Sequence, residues 1–180
     1  MRRIFKLILI VLAVIVIVGA VVIALAFSDV AASTATGSQT FTPSGTSVGK
    51  AIVIYDPGLT GAAKSIADKI AVDLQAKGYT AVLAGIKSSA TKNTSGCNVI
   101  VVGGPVYGGT PTRSVQAFLN GLNPAQGTKV GVFGSGDFPT NFKVAPLPSN
   151  STLTITYIAK INFGENQNNL SQEFVNQLLS

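Results

Sequence analysis

The sequence predicts an α/β domain on a five-stranded parallel sheet, preceded by one membrane-spanning helix. Three observations lead there. Leu7 to Phe27 runs 21 residues without a charge; Ala51 to Tyr55 and Val99 to Val102 are short, unbroken apolar runs rich in Val and Ile; and Ile66, Ile70 and Leu74 recur between those runs at four-residue spacing. Unbroken apolar runs of this length mark strands buried on both faces, and the four-residue spacing marks an amphipathic helix joining them.

Taken as a helix, Leu7 to Phe27 spans about 32 Å at 1.5 Å per residue, which matches a hydrocarbon core of about 30 Å. It reads as an uncleaved anchor over residues 1–27, with residues 4–27 in the membrane. The alternative is a cleaved signal peptide, because Ala24-Leu25-Ala26 has a small-x-small pattern, although such apolar regions usually run about 7 to 15 residues. Arg2, Arg3 and Lys6 precede the span, and no Lys or Arg follows it until Lys50. The positive-inside rule therefore places the N-terminus in the cytoplasm and the rest of the chain outside it.

Residues 28–49 are dominated by Ser, Thr, Ala and Gly, so they are expected to bury too little surface to offset the entropy of ordering them and to act as a flexible tether. O-glycosylation suits such a tether. Asn93, Asn150 and Asn169 each open an Asn-x-Ser/Thr triplet, a pattern that a chain rich in Ser and Thr shows by chance.

Residues 50–180 form the predicted folded domain. After the first strand comes the helix of Ile66, Ile70 and Leu74, flanked by Ala63, Ala67 and Ala71 and stopped at Lys77-Gly78. Tyr79 to Leu83 is the second strand, Val99 to Val102 the third, and Val130, Val132 and Phe133 mark a fourth. Val115, Phe118, Leu119 and Leu122 give a further helical face. Thr152 to Tyr157 alternates polar and apolar residues as an edge strand does, and Leu170, Phe174, Val175 and Leu178 mark a closing helix. The second crossover, Gly85 to Asn98, lacks periodicity, and the fourth, Ser135 to Asn150, holds three prolines, so both are expected to be reduced. One sheet face is then covered mainly by the helix of Val115 to Leu122, and its leftover apolar surface is expected to pack against loops or a second subunit.

Composition removes several chemistries. There is no His, no Trp and a single Cys, Cys97, which excludes an intramolecular disulfide, Cys/His zinc sites and His-dependent nucleophilic triads. From Lys50 onward ten basic and six acidic residues give a net charge near +4. They are scattered, with no basic stripe interleaved with aromatics, so no nucleic-acid partner is expected.

Three loops follow apolar strands: Asp56 to Lys64 (DPGLTGAAK), Gly103 to Pro111 (GGPVYGGTP) and Gly134 to Phe138 (GSGDF). In open parallel sheets, ligands bind at that edge. Gly58-x-x-x-x-Ala63-Lys64-Ser65 differs from a Walker A loop only at Ala63. However, the missing second glycine and the lack of an apolar strand ending in a magnesium-binding Asp leave Lys64 as the start of a solvent-facing helix surface.

In GGPVYGGTP, FGSGD and the Thr60-Gly61 pair, the chain resembles the flavodoxin family over Lys50 to Ser180. The resemblance implies strand order 2-1-3-4-5 and a site for FMN. In the first loop it implies contacts from Gly58, Leu59, Thr60, Gly61, Ala62 and Ala63 to the phosphate. In the second, Tyr107 stacks on the flavin ring beside Pro105, Val106, Gly108 and Gly109, and in the third Ser135, Gly136 and Asp137 complete the pocket.

The first loop departs from the family pattern: Gly58 and Ala63 stand where hydroxyl residues are usual, and only Thr60 remains. Each missing neutral hydrogen bond is worth about 0.5–1.5 kcal/mol, an expected loss of one to two orders of magnitude in affinity. Asp56 adds a like charge near the same anion, although Asp56-Pro57-Gly58-Leu59 has the residues of a type II turn that aims it away. The expected function is electron transfer by a membrane-tethered FMN protein to a redox partner, as a carrier rather than a turnover enzyme. Two alternatives are an NAD(P)H-dependent flavin or quinone reductase and a cofactor-free surface module.

Overall fold

The apolar runs of the sequence become the centre of one sheet. The computed structural model describes residues 2–27, 30–107, 109–136, 156–161 and 167–180. In chain order its elements are α1 (Arg2–Phe27), α2 (Val30–Ser33), β1 (Ser38–Phe41), β2 (Gly49–Tyr55), α3 (Ala62–Ala76), β3 (Tyr79–Gly85), a 3₁₀ turn (Ser89–Lys92), β4 (Val99–Tyr107), β5 (Thr110–Pro111), α4 (Arg113–Gly121), β6 (Lys129–Ser135), β7 (Tyr157–Lys160) and α5 (Gln167–Leu179).

The sheet order is β1-β3-β2-β4-β6-β7, with the short β5 pairing β4. The five strands from β3 to β7 are parallel to their neighbours, which is the predicted order 2-1-3-4-5. Along β2, Ala51 and Val53 face one side and Ile52 and Ile54 the other, and all four are buried. That two-sided burial is why the run has no polar alternation.

On the first side α3 and α5 cover Val53, Val101 and Phe133, with Ile66, Ile70 and Leu74 of α3 and Phe174 and Leu178 of α5 in the same core. The helix α3 ends as its sequence predicts. Gly78 takes φ +90°, and its N–H donates to the Gln75 carbonyl at 2.9 Å. On the second side Val115 and Leu119 of α4 meet Ile52, Ile100 and Val132. Ala32 of α2 and Ile86, Ala90 and Cys97 of the second crossover pack on the same face. The crossover contains only its 3₁₀ turn, as expected. Most of the fourth crossover lies outside the described residues, as do residues 152–155 of the strand predicted over Thr152 to Tyr157; the strand described there is β7, which pairs with β6 from Gly131 and shares Tyr157 with the predicted one.

The tether expected over residues 28–49 needs correction. Ser38–Phe41 forms β1, antiparallel to β3 with Ser38 opposite Ala84 and Phe41 opposite Ala81, and Ala32 and Ala35 are buried. The strand is polar and mostly exposed; it is held by backbone pairing along the open edge of β3 and by Phe41 against the α3 core. Cross-strand pairs contribute about 0.2–1 kcal/mol each, so a chain beginning at Val30 is expected to exceed one beginning at Lys50 by about 1–3 kcal/mol. Urea unfolding of the two truncated chains reads this directly, and equal midpoints would show that β1 adds nothing.

The helix α1 is long and apolar enough to cross a membrane. From Ile4 to Ile23 its large apolar side chains are more than half exposed.

Candidate functional site

β2, β4 and β6 end side by side: Tyr55 pairs with Gly103, Gly103 with Phe133, and Pro105 with Ser135. The chain leaves β2 toward β3 on one side and takes up β4 on the other, so the switch point of the sheet falls between β2 and β4. The three predicted loops meet at this carboxyl edge.

In the first loop Gly58 has φ +61°, the left-handed backbone that the third position of a type II turn requires. The Gly58 N–H donates to Asp56 Oδ1 at 3.0 Å. Asp56 is buried, and its Oδ2 accepts from Thr112 Oγ1 at 2.7 Å and from Ser114 Oγ at 2.5 Å. Thr112 and Ser114 open α4, where the helix N-terminus carries partial positive charge. The charge expected near a bound anion is therefore directed into α4. Thr112 stands at the N-cap of α4 and Ser114 in its first turn, but their hydroxyls bond Asp56 and the Thr112 side chain does not cap the helix.

At the start of α3, Gly61 sits at the N-cap with φ 72° and has no side chain to cap the helix. Thr60 Oγ1 accepts from the Ala62 N–H at a long 3.4 Å. Ala63 points into the core, so only its N–H can turn toward a ligand. Lys64 is about half exposed and pairs with Asp68 at 3.5 Å, the i,i+4 surface pair of a solvent face, as its position in the near-Walker sequence predicts.

The second loop begins later than its glycines suggest, because β4 continues through Tyr107. A Cβ at Gly103 would lie 2.3 Å from the Phe133 ring, and one at Gly104 would lie 2.9 Å from Asp56 Cβ and from Val115. These glycines serve close packing inside the sheet. Pro105 packs on Gly58, where a Cβ would come within 2.6 Å of its ring, so the first and second loops touch. Val106 is buried and pairs with Pro111, and Tyr107 pairs with Thr110; Gly109 turns the hairpin at φ +84°. Gly108 lies outside the described residues.

Tyr107 is partly buried, and its hydroxyl oxygen accepts from the Leu59 N–H of the first loop. Burial pushes its pKa up, with the Asp56 charge adding to the rise and the Leu59 amide opposing it. In the third loop Ser135 is buried, and Gly136, at φ +153°, passes so close to Val106 that a Cβ would sit 3.1 Å from its carbonyl oxygen. Asp137 lies outside the described residues. The described parts of all three loops thus converge, with Tyr107 reaching across to the first.

Another concavity, of about 600 Å³, lies between β1, α3 and α5 and is lined by Phe41, Asp68, Lys69, Asp73, Asn168 and Ser171 among others. It is a groove between packed elements, bridged by the Lys69 to Asn168 hydrogen bond, and is lined by none of the described loop residues.

No protein-family model matches the chain, and no curated protein matches it. Solved structures do. Oxidised Flavodoxin 2 from Bacillus cereus aligns with a TM-score of 0.51 at 21% identity, covering 72% of this chain and 97% of that one. A flavodoxin from the domain Archaea aligns at 0.45 and 16%, covering 73% and 99%. The flavodiiron core of Flv1 from Synechocystis sp. PCC6803 aligns at 0.49 and 15%, covering 72% of this chain and 34% of that one. The fold is flavodoxin-like.

Proposed function

We propose that the chain is a membrane-tethered electron carrier that binds FMN at the carboxyl edge of its sheet, with the N-terminus cytoplasmic and the domain outside. One observation carries the reading: loops from β2, β4 and β6 converge at the switch point, with an uncapped helix start on one side and the Tyr107 ring on the other. FMN would supply the redox chemistry. Thr60 and the backbone N–H groups of Gly61, Ala62 and Ala63 suit the phosphate, since a helix start leaves its first donors without intrahelical partners and the Thr60 Oγ1 contact to the Ala62 N–H is a long 3.4 Å. Gly58 and Leu59 shape that loop, and Tyr107 offers the stacking face. Pro105, Val106, Gly108 and Gly109 with Ser135, Gly136 and Asp137 form the ring pocket in this reading. With one hydroxyl in the phosphate loop, affinity falls below that of a loop with three.

A cofactor-free binding module is the second reading. It is favoured by the Tyr107 bond to the Leu59 amide, which engages one of the first loop's donors.

FMN titration of the purified full chain, followed by flavin fluorescence, separates the two. Quenching is expected, and none at millimolar FMN overturns the first reading. The surplus of basic residues from Lys50 onward also favours negative charge on a bound group. The bound couple is therefore expected to have a less negative potential than that of an acidic flavin carrier, and a strongly low-potential couple in spectroelectrochemical titration would contradict this.

A further inference from the structure

We infer that the carboxyl edge of the sheet, which carries the candidate loops, rests on the bilayer crossed by α1, and that its partner there is an anionic phospholipid surface. The inference rests on reading α1 as an uncleaved anchor and is independent of flavin.

The connection is short. Ala32 is fully buried among Ile54, Ala84, Ile86 and Val102, and the Ala35 carbonyl accepts from the Lys87 N–H at 2.9 Å. Between Phe27, the end of α1, and Ala32 there are five residue steps, which reach about 18 Å at full extension. Part of that stretch is helical, which shortens it further. A free coil over residues 28–49 would leave the domain's orientation open; this connection does not.

The chain also joins at a particular edge. The Gly37 carbonyl accepts from the N–H of Gly85, the last residue of β3. Gly85 pairs with Tyr55, Tyr55 with Gly103 and Gly103 with Phe133. At about 4.8 Å per strand, this row brings the ends of β2, β4 and β6 within about 15 Å of the junction. The opposite edge, at Gly49 and Lys50, is about 20 Å further along β2.

The chemistry of the near edge suits lipid headgroups. Leu59, at the tip of the first loop, is 47% exposed, and Lys87 and Arg113 are exposed at the starts of the second crossover and α4, while Lys64 at the start of α3 is engaged by Asp68. Of the carboxylates described there, Asp56 is buried and bonded and Asp68 is paired with Lys64. An apolar tip with Lys87 and Arg113 beside it is attracted to a bilayer surface that carries anionic lipid. Lys50 and Lys77 lie at the far edge, so charge alone does not choose the face; the short connection does.

The test uses the full chain in phosphatidylcholine vesicles containing phosphatidylglycerol and a headgroup-nitroxide lipid. Cys97→Ala, or Cys97→Ser should the first fail to fold, provides the background for single fluorophores at Lys87→Cys, Arg113→Cys, Lys50→Cys and Lys77→Cys. Quenching several-fold stronger at the first two positions is expected; equal or reversed quenching in protein that stays in carbonate-washed membranes overturns the proposal alone. Release of the protein by carbonate overturns the anchor reading and the proposal with it. Inserting about twenty Gly/Ser residues between Asp29 and Val30 is expected to reduce the contrast by more than half, and an undiminished contrast overturns the role of the connection. An FMN titration of the same samples reads the flavin proposal separately.

Discussion

Replacing Asp56 with alanine is expected to lower the unfolding free energy by about 3 kcal/mol. One carboxylate holds the Gly58 N–H and the Thr112 and Ser114 hydroxyls, and hydrogen bonds to a charged group are worth about 1.5–3 kcal/mol each. The sum is not reached, because Thr112 and Ser114 lie 3.0 Å apart and can pair with each other once the acid is gone. Removing the charge also takes an anion from the start of α4, a further few tenths to about 1 kcal/mol. Asp56→Asn keeps the shape and its amide can still bond the hydroxyls, so its cost is expected near 1 kcal/mol. Urea unfolding of the full chain in detergent, followed by Tyr fluorescence since the chain has no Trp, separates the variants. An alanine variant with the parent's midpoint would mean that Asp56 does not clamp the first loop to α4.

That clamp also marks the limit of what the sequence reveals. The five parallel strands and three principal helices are legible because two-sided burial and helical periodicity leave marks within short windows, as in Ala51 to Tyr55 and Ile66 to Leu74. β1 leaves no such mark: Ser-Gln-Thr-Phe is held by the backbone of β3, and the alanines that fasten the preceding segment, Ala32 and Ala35, are too small to stand out in composition. Gly103 and Gly104 look like loop glycines, yet they lie in β4 because Phe133, Asp56 and Val115 come too close for a side chain. The place proposed for the site follows from the rule that ligands meet the carboxyl edge of a parallel sheet. The site's internal contacts do not, because the Tyr107 to Leu59 and Asp56 to Thr112 bonds join residues about fifty positions apart.

Tyr107→Ala is expected to weaken FMN binding about ten- to thirtyfold, and Tyr107→Phe by less than about threefold. The ring's stacking is worth on the order of 1 kcal/mol beyond burial, and covering about 40 Å² of apolar surface adds about 1 kcal/mol at 25 cal/mol/Å²; together these give about thirtyfold. The hydroxyl works in the opposite direction. It occupies the Leu59 N–H, and phenylalanine keeps the stacking face while freeing that donor for a phosphate, so its variant loses little and can gain. The raised pKa of Tyr107, caused first by burial, keeps the phenol neutral from pH 6 to 9. A phenolate beside an anionic ligand forms only above the ordinary tyrosine value of about 10, so this residue gives FMN binding no pH dependence in that window. Fluorescence titrations of the three proteins across it supply the measurement. If alanine binds FMN as tightly as tyrosine, the ring is not part of the pocket, and the Tyr107 to Leu59 bond is then a closure of the first loop in a domain that works without a cofactor.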